Sequence, residues 1–259
     1  IKAWVRNGYM IPARKFPLGE KLVWLLVKTS LRKHFDRIFF RMRSERTEEQ
    51  CNLSMIICAN HSNWWDGYVA ALVKRHLGIE GYLMMEESQL RRYFFFSWIG
   101  CFSIDRHHPR AAMQSIRYAA HLLKERPGRM VWLFPQGEIA PNDCRPLVFF
   151  RGAAHLARLS APVLLYPLVT CIEYLAEQHP DLFISLGEPL YVNTEEMKSP
   201  GSLKHYTKLL EDRVTTELDQ LRADVLASNY SSFTLLMHGR VSINRIFDAF
   251  LFRKQLHRQ

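Results

Sequence analysis

Residues 55–66 read Met-Ile-Ile-Cys-Ala-Asn-His-Ser-Asn-Trp-Trp-Asp. The five apolar residues Met55–Ala59 make a short run of the kind found in a strand buried on both faces. The run ends at Asn60-His61, and Gly67–His76 then reads as a helix. A buried strand that passes through a polar turn into a helix is the repeating unit of an α/β fold. The polar turn lies at the strand end, where open α/β sheets hold ligands.

The same alternation continues on the C-terminal side. Tyr82–Met85 reads as a strand, Gln89–Trp98 as a basic and aromatic helical stretch, and Phe102–Asp105 as a strand. Pro109–Glu125 is a helix closed by Pro127-Gly128, and Met130–Phe134 is a third buried strand running into the turn Pro135-Gln136-Gly137. Helix Gly152–Leu159, strands Pro162–Val169 and Phe183–Leu186, and the long helix Leu203–Leu226 follow. Strands and helices alternating over 54–190 predict an α/β domain with a largely buried sheet.

Charge divides the chain differently. Residues 1–43 hold eleven Lys and Arg against Glu20 and Asp36, and residues 229–259 hold five bases against one acid. The stretch between them is slightly acidic, so the overall charge of +10 resides at the two ends. Between about Gly19 and Met42, Trp24, Leu31, Phe35, Ile38 and Met42 recur at helical spacing with bases on the other face, which predicts a basic amphipathic helical region. Gly239–Lys254, with Ile243, Ile246, Phe247, Phe250 and Leu251, predicts an amphipathic end helix. The resulting division is a membrane-associating region over 1–43, an α/β domain over 44–228 opening on a polar linker (44–52), and a basic helical extension over 229–259.

Bases interleaved with aromatic residues suit an anionic lipid surface, a solvated helix face, or a nucleic acid. The acidic middle and the lack of a nucleic-acid-binding signature count against the last. Five cysteines, odd in number and without a C-x-x-C pair, predict reduced thiols in the cytosol. No apolar run approaches the ~18 residues of a spanning helix, and no signal peptide is evident.

Several positions can carry chemistry. His61 and Asp66 are five apart and cannot face each other on one continuous helix, where five residues rotate by roughly 500°. They meet if His61 lies in the turn and Asp66 in the first helical turn, where the carboxylate would fix the imidazole tautomer. A capping aspartate beside an ordinary turn histidine satisfies the same spacing. Arg106 ends a strand, as a phosphate-holding arginine or as half of a surface ion pair. Phe134-Pro135-Gln136-Gly137-Glu138 is a strand followed by a tight polar turn, and Tyr166-Pro167-Leu168 interrupts an apolar run. No metal site is expected, since His and Cys are not clustered and His107-His108 reads as an exposed turn. No cysteine has the setting of a nucleophile, and Cys58 reads as a buried strand residue.

In order, these blocks resemble the glycerolipid acyltransferase family, which includes lysophosphatidate acyltransferases. The family's N-H-x4-D is met by Asn60–Asp66, its G-x-x-F-I-x-R-like run by Gly100–Arg106, its F-P-E-G-T/S by Phe134–Glu138 and its V-P-V-like segment by Tyr166–Leu168. Arg151-Gly152-Ala153 resembles a further K-x-G-A element. The resemblance implies a glycerol-phosphate-acyltransferase-like fold, with a mixed sheet flanked by helices. It also implies an acyl thioester donor (acyl-CoA or acyl carrier protein) as co-substrate with no other cofactor, and a lipid hydroxyl as acceptor. By that resemblance His61 is the general base and Asp66 its orienting partner. Arg106, Gln136, Gly137 and Glu138, with Arg145 and Arg151, would bind the acceptor's head group. The enzyme would work in phospholipid biosynthesis as a peripheral or monotopic protein on the cytoplasmic face of a membrane. Two positions depart from the pattern: Gln136 stands for the usual Glu and Glu138 for Thr or Ser, which points to a glycolipid or aminolipid as well as to a lysophospholipid acceptor. The rival reading is a non-catalytic lipid-binding protein of the same fold.

Overall fold

The structure, a computed structural model, describes residues 10–240 and Phe247. The end helix expected over Gly239–Lys254 lies almost wholly outside the described residues. The first half of the chain forms α1 (Pro17–His34), β1 (Arg37–Met42), α2 (Glu48–Cys51), β2 (Met55–Ala59), α3 (Asp66–Leu77), β3 (Gly81–Glu86), α4 (Glu87–Arg92), a 3-10 helix (Phe94–Ile99) and β4 (Cys101–Ile104). The second half forms α5 (Pro109–Glu125), β5 (Met130–Leu133), α6 (Gly152–Ser160), β6 (Val163–Glu173), β7 (Asp181–Leu186), β8 (Leu190–Val192), α7 (Thr194–Lys198), α8 (Ser202–Leu226) and β9 (Thr234–His238).

All five residues of β2 are buried, because it lies inside the sheet with helices over both faces. It pairs in parallel with β5 on one side and β6 on the other, so Ile57 has Trp132 and Tyr166 as neighbours. The full order is β4-β3-β5-β2-β6-β7-β1-β9, with β8 also on β6. The strands from β4 to β6 are parallel, whereas β7 and β8 run antiparallel to β6 and β9 antiparallel to β1, giving a mixed sheet. Alternation along the strands sends side chains into two cores. Ile56, Cys58, Val131, Leu165 and Phe183 pack under α5, α6 and α8, while Met55, Ile57, Trp132, Tyr166 and Ile184 pack under α1 and α3.

The amino-terminal region differs from the expected one. The helix ends at His34, and Phe35 is already extended (φ −116°, ψ 148°). The next residues form β1, parallel to β7 and antiparallel to β9. Arg-Ile-Phe-Phe-Arg-Met is rich in β-favouring residues and buries Ile38 and Phe40 on one face of the sheet and Phe39 on the other. Spacings of three and four among Phe35, Ile38 and Met42 therefore imitate a helical stripe that does not exist. The boundary at 43/44 is corrected accordingly, since β1 is an integral strand of the sheet. Three of the expected surface bases are also used internally: Arg37 pairs with Asp181, Arg41 with Asp224 and Glu217, and Arg43 with Glu217. The expected linker contains α2, opened by a reciprocal Thr47–Gln50 capping box. At the other end, residues 234–238 form a strand beside β1 instead of a helical extension. The stretch expected as one helix over Gln89–Trp98 is α4 followed by the 3-10 helix, broken at Tyr93.

Candidate active site

The C-terminal ends of β2, β3, β4 and β5 lie on one edge of the sheet, and the motif-bearing turns emerge there. The first turn is fixed by Asn60, which is buried. Its side chain accepts from Thr170 N (2.9 Å) and donates to Thr170 O (3.1 Å) and Asn142 Oδ1 (2.7 Å). The backbone of His61 is held on both sides, its N–H donating to Gln136 Oε1 (2.7 Å) and its carbonyl accepting from Ala140 N (2.9 Å). Its ring stacks on Phe134, with centroids 4.3 Å apart and an interplanar angle of 19°.

His61 precedes α3 and Asp66 opens it, so the five-residue spacing is bridged outside the helix, the arrangement under which the two can meet. His61 Nδ1 lies 2.7 Å from Asp66 Oδ2, and the same oxygen accepts from Ser62 N (2.9 Å) and Asn63 N (3.1 Å). Thr170 Oγ1 approaches the other oxygen at 3.4 Å. Asp66 is only 1% exposed, yet its charge is met by three N–H groups and the positive end of α3. A carboxylate only accepts, so Nδ1 carries a proton, and in the neutral ring the lone pair is on Nε2. Among the described residues no hydrogen bond engages Nε2, and the side chain is 23% exposed.

The other expected residues distribute unevenly. Arg106, after β4, donates through Nε to Glu86 at the end of β3 (2.9 Å). Gly137 has φ +76°, and a Cβ there would lie 2.6 Å from Arg106 Nη1 and 2.7 Å from the Phe150 ring. The guanidinium thus rests against the Gly137 backbone, and glycine is required both for the turn and for that approach. Gln136 is buried and committed through Oε1 to His61 N. Glu138 is exposed, as is Arg151 at the start of α6. Arg145 is turned toward α8, ion-paired with Asp219 and donating to the carbonyls of Asn142 (2.6 Å) and Cys144 (3.0 Å). Pro167 pairs beside Cys58 within the sheet, three residues short of His61 along β2. Burial pushes the Cys58 thiol well above its ordinary value, so it stays protonated.

Five contributors were not singled out from the sequence. Phe134 and Asn60 lay inside recognised motifs, and Glu86 had the signal of the first acid after an apolar strand-like run. Asn142 and Thr170 carry no local signal, since their role exists only through contact with Asn60 and Asp66.

A family model described as Acyltransferase matches residues 15–171, well over half of the chain. The chain belongs to this acyltransferase family. The family's reaction is acyl transfer to a lipid acceptor, so the protein is an acyltransferase. The match runs through α1 and β1, in keeping with their place inside the domain. No curated protein matches the chain.

Proposed function

We propose that this acyltransferase moves a fatty acyl group from acyl-CoA or acyl carrier protein to a hydroxyl of a membrane lipid, with His61 as general base and Asp66 as its orienting partner. The observation that carries the reading is the 2.7 Å contact from His61 Nδ1 to a buried carboxylate that is itself held by two backbone N–H groups. That arrangement supports a base at Nε2. In the reaction Nε2 takes the acceptor's hydroxyl proton as the oxygen attacks the thioester carbonyl carbon. The C–S bond then breaks, and the imidazolium returns its proton to the departing thiolate.

The head-group side supports an acceptor bearing hydroxyls or an amine more than one bearing a phosphate dianion. The Arg106 guanidinium is already half-engaged by Glu86, and the neighbouring loop adds the exposed carboxylate of Glu138. A glycolipid or aminolipid head group can hydrogen-bond to such a mixture, whereas the carboxylates of Glu86 and Glu138 oppose a phosphate dianion. The same reading has the enzyme peripheral, on the cytoplasmic face of a membrane. The five free cysteines suit that compartment, and among the described residues no helix is long and apolar enough to cross a bilayer.

The test is release of free thiol from acyl-CoA, and then from acyl-carrier-protein thioesters, against lysophosphatidate, other lysophospholipids, glycolipids and aminolipids. Release that depends on the acceptor and falls by at least ~10³-fold in His61→Ala is expected. Equal rates in His61→Ala and wild type would sink the proposed base. Lysophosphatidate outpacing every phosphate-free acceptor would overturn the head-group assignment.

A further inference from the structure

Helix α1 has two apolar faces. Gly19, Val23, Val27 and Leu31 are buried against the domain. On the opposite side Leu18, Leu22, Leu25 and Leu26 are 74%, 50%, 60% and 54% exposed. At roughly 100° per residue these four occupy an arc of about 100°, and Thr29, Arg32 and Lys33 continue the arc into the last turn. Lys21 and Lys28 run along one flank, exposed. A helix packed on a soluble core needs one apolar stripe. Among the described residues nothing covers the second.

The leucine stripe adjoins a continuous band of aromatic rings that leads to the candidate active site. Phe16, just before α1, meets Trp98 at 5.4 Å, and Trp98 meets Phe94 at 5.7 Å. The band continues from Phe94 to Phe95 (6.1 Å), Phe96 (4.8 Å), Tyr68 (6.1 Å) and Trp64 (5.0 Å). Three members are strongly exposed: Phe16 (41%), Phe94 (61%) and Trp64 (60%). Trp64 lies within the turn between His61 and Asp66. Rings of this kind settle at the level of lipid head groups, with aliphatic side chains below them and bases reaching back to the phosphates.

We propose that α1 and this aromatic band form the face on which the protein docks to a lipid bilayer carrying anionic head groups, holding the His61 turn against the membrane. The placement of His61 rests on the acyl-transfer reading, whereas the docking face does not. Charge selects the occupant. A second copy of the chain paired through the same stripe would set Lys21, Lys28, Arg32 and Lys33 against their own images, whereas anionic lipids neutralise all four.

The experiment is sedimentation of the full chain with vesicles of phosphatidylcholine, with and without phosphatidylglycerol. Leu18→Asn/Leu22→Asn/Leu25→Asn should lower partitioning by about tenfold or more on both vesicle types, since exposed leucines leave the fold unstrained. Lys21→Gln/Lys28→Gln should lower it by about fivefold per base, on phosphatidylglycerol vesicles only. Thiol release with a detergent-dispersed acceptor should be unchanged in both variants, showing that they are folded. His61→Ala should partition like wild type. A chain that partitions through the stripe yet releases no thiol from any donor would refute the acyl-transfer reading and keep the docking face. Undiminished partitioning of the leucine variant would overturn the proposal, as would a leucine variant that still binds vesicles but changes from dimer to monomer in solution.

Discussion

Replacing Asp66 with Asn isolates what the carboxylate's charge contributes, because the structure dictates how the amide must sit. Three N–H donors, from the His61 ring, Ser62 and Asn63, converge on one oxygen of Asp66. An amide nitrogen cannot face three donors, so the amide oxygen must take that place and its NH2 must turn to Thr170 Oγ1, which can accept. The ring therefore keeps its tautomer, and what is lost is the attraction between a carboxylate and the imidazolium that the proposed reaction would form. Opposite charges at about 4 Å in an effective dielectric of 20 interact by about 4 kcal/mol. With His61 partly solvated, a loss of about 3–4 kcal/mol corresponds to a fall in kcat of about 10²- to 10³-fold at little-changed KM. The fold should lose only about 2 kcal/mol, as two backbone hydrogen bonds to a charged acceptor become neutral ones. Thiol-release kinetics and thermal unfolding read the two quantities separately. A fall in kcat of less than tenfold would refute the charge argument. A fall equal to that of His61→Ala would refute the claim that the ring keeps its tautomer.

Gln136→Leu removes the acceptor of the His61 backbone N–H, and should cost about 1–3 kcal/mol of stability together with at least tenfold in kcat. Gln136→Glu restores an acceptor and should stay within a few-fold of wild type in the same assays. Arg41→Met should destabilise by about 3–5 kcal/mol in urea unfolding, because Asp224 and Glu217 are left without the buried guanidinium between them. Glu80 supplies a pH signature. Burial pushes its carboxyl upward, but the hydrogen bond from Tyr82 and the charges of Lys15 and Arg129 outweigh it and bring it from 4.5 down to about 2. A lowered folded value makes its contribution complete above about pH 4.5, to be lost as the pH falls toward 2. The urea midpoint of Glu80→Gln should therefore fall less steeply than that of wild type between pH 5 and pH 2.5, and a steeper fall would contradict the sign.

The elements easiest to read in the sequence were those whose own residues carry the whole signal. Met55–Ala59 is apolar at every position because it has a parallel strand on each edge and a core on each face, and its bounds are those expected. Helix α5 was legible to the residue, with Pro109 at its start and Pro127-Gly128 beyond its end. Strand β1 was hidden for a physical reason. Its two internal arginines look like a solvent face until Asp224, Glu217 and Asp181 arrive from elements more than a hundred residues away. The site divides in the same way. The His61–Asp66 pair could be inferred because strand, turn and helix are contiguous. The Asn60–Thr170–Asn142 bonding could not, since it depends on β6 lying beside β2 and on how the loop after β5 returns. Arg145 was grouped with the acceptor site on charge alone, and its pairing with Asp219 on α8 could not be seen without the tertiary fold.

The departures at residues 136 and 138 take on a meaning in the structure that the linear motif did not disclose. Residue 136 is buried and faces the backbone of His61, so its identity bears on how the ring is seated. An amide oxygen supplies this acceptor without bringing a charge to the buried position. The exposed carboxylate of Glu138, next to the Gly137 turn against which Arg106 rests, faces outward instead. The chain thus keeps one acid in the loop but moves it from the seat of the histidine to the surface. Since Glu86 already holds Arg106 through Nε, the net charge offered beside Gly137 is no longer that of a free guanidinium. In the proposed reaction the two substitutions would therefore act separately, Gln136 on the seating of the His61 backbone and Glu138 on the head group admitted.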